Sequence, residues 1–462
     1  MKKLICIVLF LSPLFLYAQE PWHKSSPLDY AWKYVGNAGF SGNWANFINI
    51  AFNPADGQPY VAFQDKANSK KATVMKFDGT NWVYVGNAGF SSGVVEYTSL
   101  AFSASGEPYV AYKDNGITGK ATVMKFDGTN WVDVGTEGFS AAGALGTSLA
   151  FSPSGEPYVG YCDEYFGDLA TVMKFDGTNW VNVGSAGFTS HQVGFTSLAI
   201  SPAGQPYLAF SSGYAYYPAS VMKFNSPNWV YVGNEGFSSH IASGTSLAFG
   251  PSGEPYVAFS DRGIDYSYKA TVMKFDGTNW VYVGNEGFSA GAVGFTSLAF
   301  SASGEPCVAY QDNGNSYKAT VMKFNGTSWV NIGIAGFSKG RADFTSLAFS
   351  PSGEPYVAYM DYGNDTAATV LKYDSVYVGI NKQQEMKFVL YPDPATDKIT
   401  VESPKEVKGI NLEIVNIAGQ QLITHQITES KTQIDISALP SGVYFVRLTG
   451  DKAVAMGKFV KY

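Results

Sequence analysis

Histidine and cysteine are nearly missing from this sequence, at four and three residues among 462. Charge is also sparse. Only 15% of residues are Asp, Glu, Lys or Arg, and acids outnumber bases 38 to 31. An acidic chain offers no basic footprint for nucleic acid or an anionic membrane surface. Outside the N-terminus no run reaches the ~18 unbroken apolar residues of a spanning helix, so no transmembrane segment is expected in the mature chain. The scarcity of histidine and cysteine leaves few candidates for a metal centre or a nucleophile–base pair, and the expectation is no cofactor and no metal.

What the chain has in abundance is Gly (50), Pro (21) and aromatic residues (15%). That is the profile of a turn-rich all-β protein, long enough for two or more domains. Residues 1–18 have the pattern of a secretory signal peptide: Lys2-Lys3, an apolar core from Leu4 to Leu16, and Ala18 before the cleavage point. Its removal leaves 29 basic against 38 acidic residues, a net charge of −9.

One stretch organises most of the rest. Thr98–Trp131 contains runs of β-formers separated by turns: Ser99–Phe102, Tyr109–Tyr112 after Ser-Gly-Glu-Pro, and Ala121–Phe126, with Trp131–Val134 following Asp127-Gly128. Such runs, with Asp-Gly between two of them, read as a four-stranded antiparallel meander, its strands here lettered A to D from the inside outward. Seven versions follow one another. Their tryptophans stand at 32, 82, 131, 180, 229, 280 and 329, spaced 49 to 51 apart. A period near 50 with four strands is that of a β-propeller blade.

Trp32–Val35 has no strands A to C before it, and the last A–C set, Ser346–Tyr373, has no Trp strand after it. The N-terminal strand is therefore expected to complete the seventh blade and close the ring. Val376–Val378 is the competing candidate. The expected organisation is a signal peptide (1–18), an N-terminal segment (19–31), a seven-bladed propeller (32–374), a linker (375–387) and a small C-terminal Ig-like β-sandwich (388–462) with six short alternating strands. Cys162 and Cys307 occupy different positions in repeats three apart and read as isolated thiols rather than a disulfide.

The tail resembles a known family. Tyr391-Pro392-Asp393-Pro394-Ala395, the turn ending in Gly419, Leu439–Tyr444 with Gly442 and Tyr444, and the terminal Lys458–Lys461 are similar to the type A C-terminal sorting domain of the Bacteroidetes type IX secretion system. That family usually has Asn where this chain has Asp393. The resemblance implies passage through the periplasm, handling by the type IX machinery, and a secreted or outer-membrane cell-surface destination.

Function is less legible. The A–B and C–D turns barely change between repeats, whereas the B–C and D–A loops differ in nearly every copy. In a meander these two sets lie on opposite faces, and the diversified face is where binding is expected. It is rich in rings: Trp44, Tyr165, Tyr214, Tyr216, Tyr217, Tyr266, Tyr268, Tyr317 and Tyr362. Exposed rings beside Asn, Asp and Ser suit saccharides. The same rings would also serve to cover the blade ends, and a protein-binding surface component or a polysaccharide-degrading enzyme are the competing readings. Asp65, Asp114, Asp163, Asp261, Asp312 and Asp361 follow strand B in six repeats, with Ser212 in the seventh; they read as turn-holding residues, with calcium the alternative.

Catalysis finds little support. His191 and His240 lack a partner at nucleophile or metal-ligand spacing, and Glu96, Glu164, Asp168, Asp265 and Asp343 merely break the repeat. The Trp strands and varied loops also resemble fucose-specific-lectin-type propellers. Those use an Arg, a Glu and an aromatic per repeat, whereas Arg262 and Arg341 are the only arginines of these repeats.

Overall fold

The computed structural model describes residues 28–212, 217–263, 265–377, 388–402, 410–417, 419–449 and 454–462. The proposed signal peptide, residues 19–27 and most of the proposed linker lie outside the described residues. Tyr30–Ser375 forms one compact unit, and Val376–Tyr462 belongs to a second.

Seven four-stranded antiparallel sheets make up the first unit. Strand A of each sheet packs against strand A of the next, and Ala45–Phe52 of the first packs against Ala342–Phe349 of the seventh, so the sheets form a closed seven-bladed propeller. Closure follows the expected route. Leu28–Tyr34 lies beside Ala367–Tyr377 as the outer strand of the seventh blade. Val376 and Tyr377 simply extend strand C of that blade rather than supplying its outer strand.

Two repeated devices hold the seams. On the outside, each strand-D tryptophan donates Nε1–H to a carbonyl of the preceding blade, as Trp131 does to Val85 at 2.7 Å and Trp32 to Ile332 at 2.8 Å. Each ring also stacks on a phenylalanine of the preceding D–A connection, at 4.1 Å for Trp131 on Phe90 and 4.0 Å for Trp32 on Phe337. The tryptophans are thus core residues, as large repeated aromatics usually are. On the inside, the Ser99 hydroxyl accepts the Leu149 N–H at 3.0 Å, and the same bond recurs around the ring to Ser346, which accepts the Ile50 N–H at 3.1 Å.

The second unit is a β-sandwich. Val389–Tyr391, Lys398–Glu402 and Lys431–Asp435 form one sheet; Gln421–Ile427, Ile410–Asn416, Gly442–Thr449 and Val454–Lys461 form the other. Alternate residues such as Ile399, Leu412, Ile414, Val446 and Phe459 are fully buried between them. The motif residues tie the ends of the domain together. Asp393 Oδ1 accepts the Val460 N–H at 2.8 Å, and the buried Ala395 donates to the Val460 carbonyl at 2.7 Å. An Asn side chain would accept the same bond through its amide oxygen, which explains why Asp393 can stand in the family's Asn position. Tyr391 donates to Glu402, and Tyr444 donates to the Pro440 carbonyl at 2.7 Å. Gly419 sits at φ +78° in the turn before Gln421, a left-handed conformation that favours glycine.

Candidate binding site at the channel mouth

Strand A is longer than the apolar run suggests. It begins at Val95 rather than Ser99 and carries a β-bulge between Glu96 and Ser99, a feature repeated in all seven blades. At the bulge the backbone turns left-handed, and the residue there is Phe47, Tyr97, Gly146, Phe195, Gly244, Phe295 or Phe344. A bulky residue at positive φ is an outlier that costs roughly 1–2 kcal/mol. Five blades accept that cost and place a ring there. Strain of this kind gathers at functional sites.

These positions surround the propeller axis. Residues from all seven A strands line one cavity of about 470 Å³ at the B–C/D–A end of the channel, within the ~300–1,000 Å³ range of small-ligand sites. The collar is uneven. Phe295, Phe344, Phe47 and Tyr97 contact one another in sequence at 4.8, 5.1 and 5.0 Å, making a wall over one side. Gly146 and Gly244 flank Phe195 on the other, and that ring is 58% exposed. Threonine hydroxyls brace the collar by donating to bulge carbonyls of the preceding blade: Thr98 to Phe47 and Thr245 to Phe195, for example.

Just beyond the bulge the blades cease to resemble one another. The facing A–B pairs are Asn46–Gln64, Glu96–Lys113, Leu145–Cys162, Gly194–Ser211, Ser243–Ser260, Gly294–Gln311 and Asp343–Met360. One step further in, every pair is a small polar residue opposite Ala or Gly, such as Ser99–Ala111 and Ser148–Gly160. Diversity therefore begins at the mouth. Its charges are paired. Lys113 Nζ lies 3.7 Å from both Glu96 and Glu164, and Arg341 holds Asp343 through two bonds of 2.7 and 2.9 Å. Burial, with Asp168 and Glu164 nearby, pushes the Cys162 thiol up to about 12, so it is no ready thiolate nucleophile. Both Cys162 and Cys307 are buried free thiols.

The rings expected from sequence fall outside this collar, around the rim. Tyr165, Tyr217, Tyr266, Tyr268, Tyr317 and Tyr362 are exposed; Tyr214 and Tyr216 lie outside the described residues. Trp44 is half-buried, donates to Met360 Sδ at 2.8 Å, and has Lys66 Nζ 4.6 Å over its ring. The Arg341 guanidinium is brought between Tyr317 and Tyr362, 5.4 and 5.1 Å from their centroids, and Arg262 lies 3.8 Å over Tyr266. The collar itself escaped the sequence reading, although a signal was present: one position before Thr-Ser-Leu alternates between an aromatic and glycine.

The strand-B aspartates act as turn-holders. Asp65, Asp114, Asp163, Asp261 and Asp361 each accept an N–H from two residues ahead through Oδ1, at 2.8–3.1 Å. The second oxygen of Asp65, Asp163, Asp312 and Asp361 takes a threonine hydroxyl at 2.9–3.2 Å, and that of Asp114 takes the Ser92 hydroxyl. In those blades the carboxylate is already committed to protein donors.

Residues 389–462 match the secretion system C-terminal sorting domain family. The chain therefore carries a type IX sorting domain, and its destination is export to a secreted or cell-surface location. Among the described residues no helix is long and apolar enough to cross a membrane. No curated protein matches the chain. Among solved structures it is similar to PorZ, an essential surface component of the type IX secretion system of Porphyromonas gingivalis, at 14% identity and TM-score 0.46; the match covers 91% of this chain and 59% of that protein. It is also similar to a family 25 polysaccharide lyase described as an ulvan lyase (11%, TM-score 0.48, 75% and 96% covered). A third is an α-L-arabinofuranosidase of Fusarium graminearum (11%, TM-score 0.41, 60% and 92% covered).

Proposed function

We propose that this protein is a secreted or surface-displayed binding protein whose propeller takes an extracellular saccharide at the channel mouth. The observation that carries this reading is the collar of left-handed bulges, which spends backbone strain to hold five rings around one cavity on the diversified face. A pyranose offers CH faces to stack on such rings and hydroxyls to meet polar neighbours, and Asn46, Gln64 and the Lys113 group supply these at the same level. Rim tyrosines extend the surface outward, as a chain of several sugar units requires. Binding without turnover is favoured over hydrolysis because the grouped carboxylates at the mouth are each engaged by Lys113 or Arg341.

A screen of the purified full-length protein on a saccharide array, with a parallel assay for new reducing ends, tests this. The expected result is retention of a defined glycan class with no product. Product formation would make the protein an enzyme, and silence on both would favour a protein partner for this face.

A further inference from the structure

The fifth blade departs from the turn-holding pattern described above. Asp261 is 2% exposed, and its Oδ2 has no hydrogen-bond partner. Beside it stands His240, from the connection leading into the same blade, whose buried Nδ1 is also without a hydrogen-bond partner. Nδ1 lies 3.6 Å from Asp261 Oδ1 and 3.3 Å from Glu286 Oε1, the latter from the connection leading out of the blade. One donor atom from each residue falls within 4.8 Å of the others. Burial and the neighbouring Glu286 charge both raise the Asp261 carboxyl, as expected where two carboxylates face each other with too little positive charge between them. Lys269 lines the adjoining cavity of about 270 Å³ but forms no ion pair with either carboxylate among the described residues.

We propose that His240, Asp261 and Glu286 form a binding site for one divalent transition-metal cation of the zinc class. Zinc bonds of about 2.0–2.2 Å to nitrogen and oxygen at tetrahedral angles put donor atoms about 3.4 Å apart, close to the two separations seen here. An imidazole donor favours such a cation over calcium or magnesium, which take oxygen ligands. Three protein ligands leave a fourth position facing the cavity, where water or a ligand oxygen can bind.

The neighbouring blade carries its own control. His191 and Glu235 occupy the same repeat positions, with Nδ1 3.4 Å from Oε1, but the third position is Ser212, whose hydroxyl lies 3.3 Å from that of Ser220. That blade has two of the three ligands.

The test is calorimetric titration of zinc ions into the untagged full-length protein after chelator treatment, at neutral pH. One equivalent should bind at micromolar concentration or tighter. His240→Gln and Glu286→Gln should each weaken uptake at least tenfold, with circular dichroism showing an unchanged fold. Ser212→Asp should raise the stoichiometry from one to two. The proposal is overturned if the wild type takes up no zinc, which would mean that a protonated His240 alone bridges the carboxylates. It is equally overturned if His240→Gln binds as well as the wild type.

Discussion

Deleting Trp32–Gly36 is expected to broaden thermal unfolding and lower its midpoint by about 10 °C or more. The segment supplies the outer edge of the seventh blade, so its loss exposes the unpaired edge of Ala367–Tyr377 and removes the seam that links the last blade to the sixth. A more exact form of the same expectation uses single substitutions. Trp32→Ala should cost about as much as Trp131→Ala, each roughly 3–5 kcal/mol for a large aromatic removed from a packed site. The two rings make equivalent contacts: a stack at 4.0 against 4.1 Å, and an Nε1–H bond at 2.8 against 2.7 Å. In a linear array the terminal residue would count for far less than the internal one, because end repeats have one neighbour instead of two. Denaturant melts of the two variants decide the matter. A near-neutral Trp32→Ala beside a damaging Trp131→Ala would contradict closure.

The second large effect concerns export. Removing residues 388–462 is expected to leave the propeller in the periplasm, with the extracellular or surface fraction falling at least tenfold in fractionated cells probed by immunoblot. A subtler variant separates recognition from folding. Tyr444→Phe removes only the hydroxyl bonded to Pro440 and keeps the ring stacked 5.6 Å from Phe459. It should cost about 1 kcal/mol of domain stability and leave export largely intact. Undiminished export of the truncated chain would show that the sorting domain carries no export function here.

The blade count and ring closure could be read from sequence because both rest on local chemistry. Asp-Gly and Ser-Gly-Glu-Pro turns mark the strand boundaries, and the missing partner of Trp32 shows where the circle joins. The identity of the tail was equally legible in Tyr391–Ala395 and Leu439–Tyr444. The collar was not, because a bulge leaves no gap in an apolar run: Tyr97 and Phe195 look like ordinary strand residues. Only Gly146 and Gly244 at the same repeat position betray a left-handed backbone. The His240 group was hidden for a different reason. Its members are 21 and 25 residues apart along the chain, and the blade geometry alone brings two successive D–A connections to the end of one B strand.

The claim that the channel mouth binds ligand is tested most directly by titrating a saccharide retained in the array screen into Phe195→Gly/Phe295→Gly by calorimetry. Glycine occupies this position in two blades already, so the substitutions relieve left-handed strain and should leave the melting temperature unchanged or raised. Loss of two stacking rings should weaken binding more than tenfold, whereas Thr129→Ala on the uniform face should have no effect. Full affinity in the double variant would contradict the account and place binding away from the axis.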